Sequence, residues 1–72
     1  MPYYAQVKDI LKDAIRSGKW NAADQLPSEA ELCEMFDVSR TVIRQALQDL
    51  MHDGLITRQR GKGSFVATPK IN

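Results

Sequence analysis

Apolar residues follow helical spacing over most of the chain and strand-like spacing near its end. Two stretches, 4–17 and 39–53, show a single apolar stripe at the i, i+3, i+4, i+7 spacing of an amphipathic helix. In the first stretch the stripe consists of Val7, Ile10, Leu11, Ala14 and Ile15. In the second it consists of Ile43, Ala46, Leu47, Leu50 and Met51. The runs 55–59 and 64–67 are short and rich in β-branched and aromatic residues, which predicts two strands.

Capping residues mark a further helix and the start of the next one. Ser28 followed three residues later by Glu31 is the pattern of a capping box, and Pro27 cannot continue a helix backwards. Ser39 supplies a second N-cap after the connector 37–38. Two helices joined by a three- to four-residue corner are typical of a helix-turn-helix.

The end of the last helix and the hairpin that follows complete the predicted fold. Gly54 can adopt the left-handed conformation, and Leu55 can then cover Leu50 as in a Schellman motif. Residues 60–63 contain two glycines between the strand-like runs, which predicts a β-hairpin. After a helix-turn-helix such a hairpin is a wing, so the predicted fold is α+β, mainly α: a winged helix-turn-helix with three helices. The wing carries three cations, Arg58, Arg60 and Lys62.

The polar face of stretch 39–53 has the side chains that a DNA major groove requires. Arginine can bond guanine bidentately and glutamine can bond adenine, while hydroxyls can contact phosphates. An ordinary solvated face explains this pattern equally well on its own. The basic hairpin directly after it favours DNA, because an arginine there suits a narrow minor groove. The polar face consists of Arg40, Thr41, Arg44, Gln45 and Gln48.

Charge is divided unevenly within a chain that has room for one domain. The 72 residues are 43% apolar and carry a net charge of only +1. Residues 1–37 hold four basic against seven acidic side chains, and residues 38–67 hold five basic against two acidic ones. One acidic half and one basic half indicate a single surface that faces a polyanion.

Composition argues against several other classes of protein. Cys33 is the only cysteine and His52 the only histidine, so neither an internal disulfide nor a zinc site is expected. No Ser/His/Asp or Cys/His set indicates an enzyme, and residues 61–63 lie in a hairpin rather than in a nucleotide-binding loop. No apolar run is long enough for a membrane helix, and we expect a cytoplasmic protein without cofactors. The alternative that remains is a winged helix that binds another protein.

Five short motifs, taken in order, resemble the N-terminal domain of the GntR family of bacterial transcription regulators. The resemblance covers residues 4–67, and the tail 67–71 is similar to the HutC-like branch of that family. The resemblance therefore implies a DNA-binding domain over residues 1–67, with 68–72 starting a linker to an effector-binding domain. The motifs are Leu26-Pro27-Ser28-Glu29, Val38-Ser39-Arg40, Arg44-Gln45-Ala46-Leu47, Gly54-Leu55-Ile56 and Gly61-Lys62-Gly63-Ser64-Phe65-Val66.

The resemblance also implies which residues contact DNA. Arg40 and Arg44 should approach base edges in the major groove, and the wing 58–63 should enter the minor groove. The implied contact residues are Ser28, Glu29, Ser39, Arg40, Thr41, Val42, Arg44, Gln45, Arg58, Arg60, Gly61, Lys62 and Gly63.

This chain departs from the family pattern at three places. Val42 replaces a threonine or proline, which removes a hydroxyl–phosphate contact and instead allows contact with a thymine methyl. Ala30 replaces a base-reading arginine of some members. Ala22 and Ala23 replace a Pro-Gly turn, which costs about 1 kcal/mol if Ala23 has a positive φ.

The implied partner is a double-stranded DNA operator with an inverted repeat. No extra apolar face remains for a strong dimer, so we expect a monomer in solution and two copies on DNA, one on each half-site. In the whole regulator, which resembles a metabolite-responsive repressor, the effector domain would form the homodimer.

Overall fold

Three helices and one antiparallel hairpin follow one another in the predicted order. The computed structural model describes residues 3–67, so the predicted linker 68–72 lies outside the described residues. The predicted winged helix-turn-helix is confirmed. Its elements are α1 (Tyr3–Arg16), α2 (Glu29–Phe36), α3 (Arg40–His52), β1 (Ile56–Gln59) and β2 (Gly63–Val66).

Helix α3 is the centre of the packing, because it contacts α1, α2 and β1. Its predicted apolar stripe is buried, and Ile43, Ala46 and Leu50 are each 0% exposed. Met51, at the end of the stripe, is only half-buried. The other elements complete one core with Val7, Leu11, Leu26, Leu32, Ile56 and Val66.

Both predicted N-caps are present. The Ser28 hydroxyl accepts from the Glu31 N–H at 3.1 Å, and the Ser28 N–H donates to the Glu31 carboxylate at 3.2 Å. This reciprocal pair is a capping box. The Ser39 hydroxyl accepts from the Val42 N–H at 3.4 Å and begins α3. Between the helices, Asp37 has a left-handed backbone with φ 53°, which turns the chain from α2 to α3.

The end of α3 is the predicted Schellman motif. The Gly54 N–H donates to the Met51 carbonyl at 3.0 Å, and the Leu55 N–H donates to the Leu50 carbonyl at 2.9 Å. Gly54 has φ 78°, a conformation that glycine adopts without a steric cost. The motif stops the helix and directs the chain into β1.

The hairpin is fixed to the core at its base. Ile56 pairs with Val66, and both side chains are buried. Because side chains alternate along a strand, Arg58 lies on the same face of the hairpin as Ile56. The segment around Gln25 adds an isolated β-bridge to β2, in which Gln25 pairs with Phe65 and the Leu26 N–H donates to the Ser64 carbonyl at 2.8 Å.

Two details of the sequence prediction are wrong. The predicted buried stripe of α1 includes Ile10, yet Ile10 is 52% exposed, because α1 packs on the core through Val7 and Leu11. The predicted turn includes Gly63, which instead pairs with Gln59 as the first residue of β2.

Lys8 forms an ion pair that helical periodicity does not predict. Its Nζ lies 2.9 Å from the Asp53 carboxylate, which joins α1 to the end of α3. The hydrogen bond with Asp53 raises the pKa of Lys8, and the same bond lowers the pKa of Asp53. The partners are 45 positions apart, so only the packing of α1 on α3 brings them together.

Ala23 has a positive φ, the conformation that carries a steric cost for alanine. It is the third residue of a turn in which the Asp24 N–H donates to the Asn21 carbonyl at 3.0 Å. Its φ is 70°, as position i+2 of a type II turn requires. The Ala23 N–H then donates to the Val66 carbonyl at 2.9 Å, so the strained residue also holds the edge of β2.

Ala23→Gly should stabilise the domain by about 1 kcal/mol, because glycine has no Cβ to clash at positive φ. Ala22→Gly is the matched control, since Ala22 does not have a positive φ. There the added freedom of the unfolded chain should destabilise the domain by about 0.5–1 kcal/mol. Urea unfolding of both variants measures the two effects. A loss of stability in both would contradict the strain at Ala23.

Lys8→Met should destabilise the domain at neutral pH but not at strongly acidic pH. A lowered pKa of Asp53 stabilises the folded state above the ordinary value of 3.8, and this contribution disappears as the pH falls through the folded-state pKa. The free energies of unfolding of parent and variant should therefore differ at pH 7 and converge once the pH lies below the folded-state pKa of Asp53. The same difference at both pH values would show that Lys8 acts through packing alone.

Candidate nucleic-acid interface

Five predicted contact residues with positive charge belong to two neighbouring elements. Helix α3 contributes Arg40 and Arg44 from its N-terminal half, and the hairpin contributes Arg58, Arg60 and Lys62. All five side chains are exposed. Arg40, Arg58 and Lys62 line one concave surface together with the start of α2. The fold therefore brings three of these five cations onto one concave surface, although they are up to 22 positions apart in the sequence.

Glu29 joins the two elements that carry these charges. One carboxylate oxygen accepts from Arg44 Nε at 3.2 Å, and the other lies 3.6 Å from Arg58 Nη2. We call Glu29, Arg44 and Arg58 the Glu29 cluster. The Glu29 side chain is 22% exposed, whereas the arginines are 60% and 62% exposed. The carboxylate thus lies behind the two guanidinium groups and restricts both.

Local structure explains how the Glu29 cluster forms. Glu29 is the first residue of α2, where a carboxylate interacts favourably with the helix dipole. Arg44 lies one turn after Arg40 on the polar face of α3. Arg58 lies on the core-facing side of the hairpin, two residues after the buried Ile56. Ion pairs this exposed contribute only about 0–1 kcal/mol to the free energy of unfolding. Their main effect is to favour one orientation of the two arginine side chains.

The ion pair leaves Arg44 able to bind a base. Its described hydrogen bond uses Nε, so the two Nη groups, which can donate to guanine O6 and N7, are not engaged by residues 3–67. Arg40 has no described hydrogen bond or ion pair within the same range. Of the two arginines, Arg44 is therefore the one whose side chain is oriented by an ion pair within residues 3–67.

The N-termini of α2 and α3 offer donors beside the arginines. The Ser28 N–H donates to Glu31 and its Oγ accepts from the Glu31 N–H, so the donors left at α2 are the Ser28 hydroxyl hydrogen and the first-turn N–H groups of Glu29 and Ala30. Ser39 Oγ accepts in its cap, and its hydroxyl hydrogen stays available as a donor. These groups are suited to phosphate oxygens.

The remaining residues of the predicted face do not all share one environment. Thr41, Gln45 and Gln48 are exposed on α3, as the sequence predicts. Val42 is half-buried and packs beside the core, in a hollow shared with α1. Its side chain is therefore set apart from the Glu29 cluster, and its contact with DNA stays a prediction.

The loop of the wing is a tight turn. The Lys62 N–H donates to the Gln59 carbonyl at 3.0 Å, and Gly61 has φ 77° at the third position of the turn. This conformation presents the loop 60–62 without a side chain at its centre, so its backbone can approach a groove closely. The Gln25 side chain also contacts this loop, a contact that no sequence motif indicates.

Comparison with known proteins identifies the family. Residues 3–66 match the family described as bacterial regulatory proteins, gntR family. The chain belongs to the GntR family. A histidine utilization repressor from Klebsiella aerogenes is 46% identical over 69 residues, which cover 96% of this chain and 29% of that protein. The transcriptional repressor NagR from Bacillus subtilis (strain 168) is 42% identical over 71 residues, which cover 99% of this chain and 29% of that protein. The chain thus spans under a third of these GntR relatives.

Solved structures of GntR proteins have the same fold. The DNA-binding domain of AraR in complex with operator ORX1 superimposes with a TM-score of 0.91 at 43% identity, covering 93% of this chain and 81% of that one. A GntR family regulator from Listeria monocytogenes superimposes with a TM-score of 0.90 at 30% identity, covering 93% of this chain and 59% of that one. The chain is therefore a GntR DNA-binding domain, and its family is one of regulators rather than enzymes.

No helix within residues 3–67 is long and apolar enough to cross a bilayer. The longest, α1, has 14 residues, whereas a spanning helix needs about 20.

Glu29→Gln should reduce the ability of this GntR domain to distinguish DNA sequences while strengthening its non-specific binding. Removing the carboxylate charge frees Arg44 and Arg58 and takes a negative charge away from the basic surface. We expect tighter binding to random duplex and a lower ratio of specific to random affinity. The free energy of unfolding should change by less than about 1 kcal/mol.

Glu34→Gln is the matched control, because Glu34 is an exposed acid of α2 outside the Glu29 cluster. It should leave the ratio of affinities unchanged. Equal effects of the two substitutions, measured by fluorescence anisotropy, would mean that net charge rather than arginine position sets the ratio.

Proposed function

We propose that helix α3 lies in the major groove of an operator and reads it through Arg40 and Arg44, with guanine as the target base. The observation that carries this proposal is the Glu29 cluster, which fixes Arg44 through Nε and leaves both Nη groups for a base. A bidentate arginine–guanine contact is a frequent means of specific recognition. Thr41 and Gln45 are exposed beside these arginines and supply backbone or secondary base contacts.

The wing is proposed to follow the adjacent minor groove. Arg60 and Lys62 are exposed at its loop, and Gly61 allows close approach of the backbone. A narrow minor groove has an enhanced negative potential, which attracts an inserted arginine. Gly63 continues this segment into β2, while Arg58 stays at the base of the wing beside Glu29.

Phosphates on either side of the major groove are proposed to bind at the helix N-termini. Ser28 caps the start of α2, and Glu29 and Ala30, whose N–H groups have no partner within the helix, line the concave surface. The Ser39 hydroxyl and the start of α3 offer a second site. An arginine-rich rather than apolar or acidic surface supports DNA over a protein partner.

For the whole regulator we propose a cytoplasmic, metabolite-responsive repressor that binds an inverted repeat as a homodimer. The relatives named as repressors and the AraR domain in complex with an operator support this assignment. The 72-residue chain itself should be monomeric without DNA and indifferent to metabolites, because the remaining two thirds of the relatives would supply the dimer and effector sites.

Selection of duplexes from a random-sequence library tests the proposed function directly. Sequencing of the bound fraction should show one enriched half-site that contains a guanine, with a second copy in inverted orientation. Enrichment without any common sequence would reject specific recognition by α3.

Sedimentation of the chain with and without the selected duplex measures the number of copies bound to each duplex. A tight dimer without DNA at micromolar concentration would contradict the proposed monomer.

Arg44→Ala should lower the ratio of selected-duplex to random-duplex affinity by about 5- to 150-fold, which corresponds to the loss of one bidentate base contact. Lys12→Ala is the control, since it removes one positive charge from α1, which bears no proposed contact. Fluorescence anisotropy at one salt concentration gives both affinities. An unchanged ratio in Arg44→Ala would remove Arg44 from base recognition.

A further inference from the structure

The Gln25 side chain bridges the body of the domain to the loop of the wing. Its Nε2 donates to the Lys62 carbonyl at 2.7 Å, between residues 37 positions apart. Both residues are exposed, so the bond contributes little to the core. The backbone of Gln25 is held in place, because an isolated β-bridge pairs it with Phe65.

This hydrogen bond acts beyond the part of the hairpin that the body of the domain anchors. The base of the wing is anchored by its buried residues and by backbone hydrogen bonds between β2 and the segment around Gln25. Beyond these positions, the bond from Gln25 is the one described hydrogen bond between the loop 60–62 and the part of residues 3–67 outside the hairpin. The strand pairing shapes the turn, and the Gln25 side chain adds a tie between the loop and the body of the domain.

The glycine next to Lys62 makes space for the bridge. A Cβ built on Gly63 would lie 3.0 Å from Gln25 Nε2, closer than such contacts ordinarily come. Gly63 also has φ 118°, a conformation that residues with side chains rarely adopt. The Gln25 amide thus occupies the volume that any other residue at 63 would fill.

We propose that Gln25 is a positioning residue that orients the wing loop, so that Arg60 and Lys62 meet DNA without first being ordered. The inference rests on the proposed contact of the wing with DNA. A loop held in its binding direction loses less conformational freedom on association than a mobile one. Gln25 itself need not touch DNA, and it acts through the residues of the loop.

The size of the effect follows from the net contribution of one hydrogen bond. Loss of the bridge should weaken binding to the selected duplex by about 2- to 10-fold. Gln25→Met tests this, because methionine has a similar length and cannot donate. In the free protein, nitrogen-15 relaxation should show lower order parameters at the Gly61 and Lys62 amides of this variant. The fold, measured by thermal unfolding, should be retained because Gln25 is exposed.

Gln59→Met is the matched control for the relaxation measurement. Gln59 is an exposed glutamine of the same hairpin and has no described side-chain hydrogen bond to the body of the domain. Its replacement should leave the order parameters of the loop unchanged. Equal loosening in both variants would overturn the role of Gln25.

A double-mutant cycle separates positioning of the wing from a direct contact of Gln25 with DNA. The Arg60→Ala/Lys62→Ala variant keeps the Lys62 carbonyl but removes the loop cations. Adding Gln25→Met to it should cause no further loss of affinity. Without its cations the loop does not attract DNA, so its orientation no longer affects binding. Additive losses would overturn the proposal, as would full affinity of Gln25→Met alone.

The loop variant by itself tests the function on which the inference rests. It should weaken binding to selected and random duplexes and reduce the slope of log affinity against log salt by about 0.9 for each phosphate that the wing no longer neutralises. An unchanged slope and affinity would reject the wing contact and, with it, the role of Gln25. A weakened loop variant together with an unaffected Gln25→Met would reject the role of Gln25 alone.

Discussion

The structure depends on the packing of the apolar stripe of α3 against α1, α2 and β1. The same helix has a fully buried side and a side that carries Arg40 and Arg44. A close-packed core leaves α3 little freedom to rotate, so burial of Ile43 and Leu50 determines the direction of the arginines. Recognition by this domain is thus a consequence of core packing, with the caps at Ser39 and Gly54 deciding which residues the helix includes.

A carboxylate within the surface that we propose to face DNA has an electrostatic cost, and its pairing with Arg44 and Arg58 offers a reason for its presence. Glu29 repels phosphates, yet it restricts Arg44 and Arg58, whose exposed pairing adds little stability. Ordering the arginine before DNA arrives reduces the entropy lost on binding. Gln25 has the corresponding effect on the wing through a neutral bond. Both residues belong to the segment between α1 and the first turn of α2, so that segment contacts both elements that we propose to bind DNA.

The sequence predicts what depends on local chemistry, and it misses what depends on distant partners. The capping box at Ser28 and the Schellman motif at Gly54 are encoded within a few residues, and both predictions are confirmed. Lys8 with Asp53 and Gln25 with Lys62 are 45 and 37 positions apart, and no periodicity reveals such pairs. The prediction for Ile10 is wrong because helical spacing marks an apolar stripe but not how much of it a neighbour covers. The contact residues come from a family resemblance, which could not show that Glu29 orients arginines.

The most direct measurement of the central claim is methylation interference on the duplex that the domain selects. Methylation of guanine N7 blocks the major-groove edge that a bidentate arginine requires. If α3 reads guanine through Arg40 and Arg44, methylation of one or two guanines in each half-site should abolish binding by the parent domain. Arg44→Ala should lose sensitivity at one of those guanines and keep it at the other. Binding that tolerates N7 methylation at every guanine would contradict recognition of guanine by these arginines in the major groove.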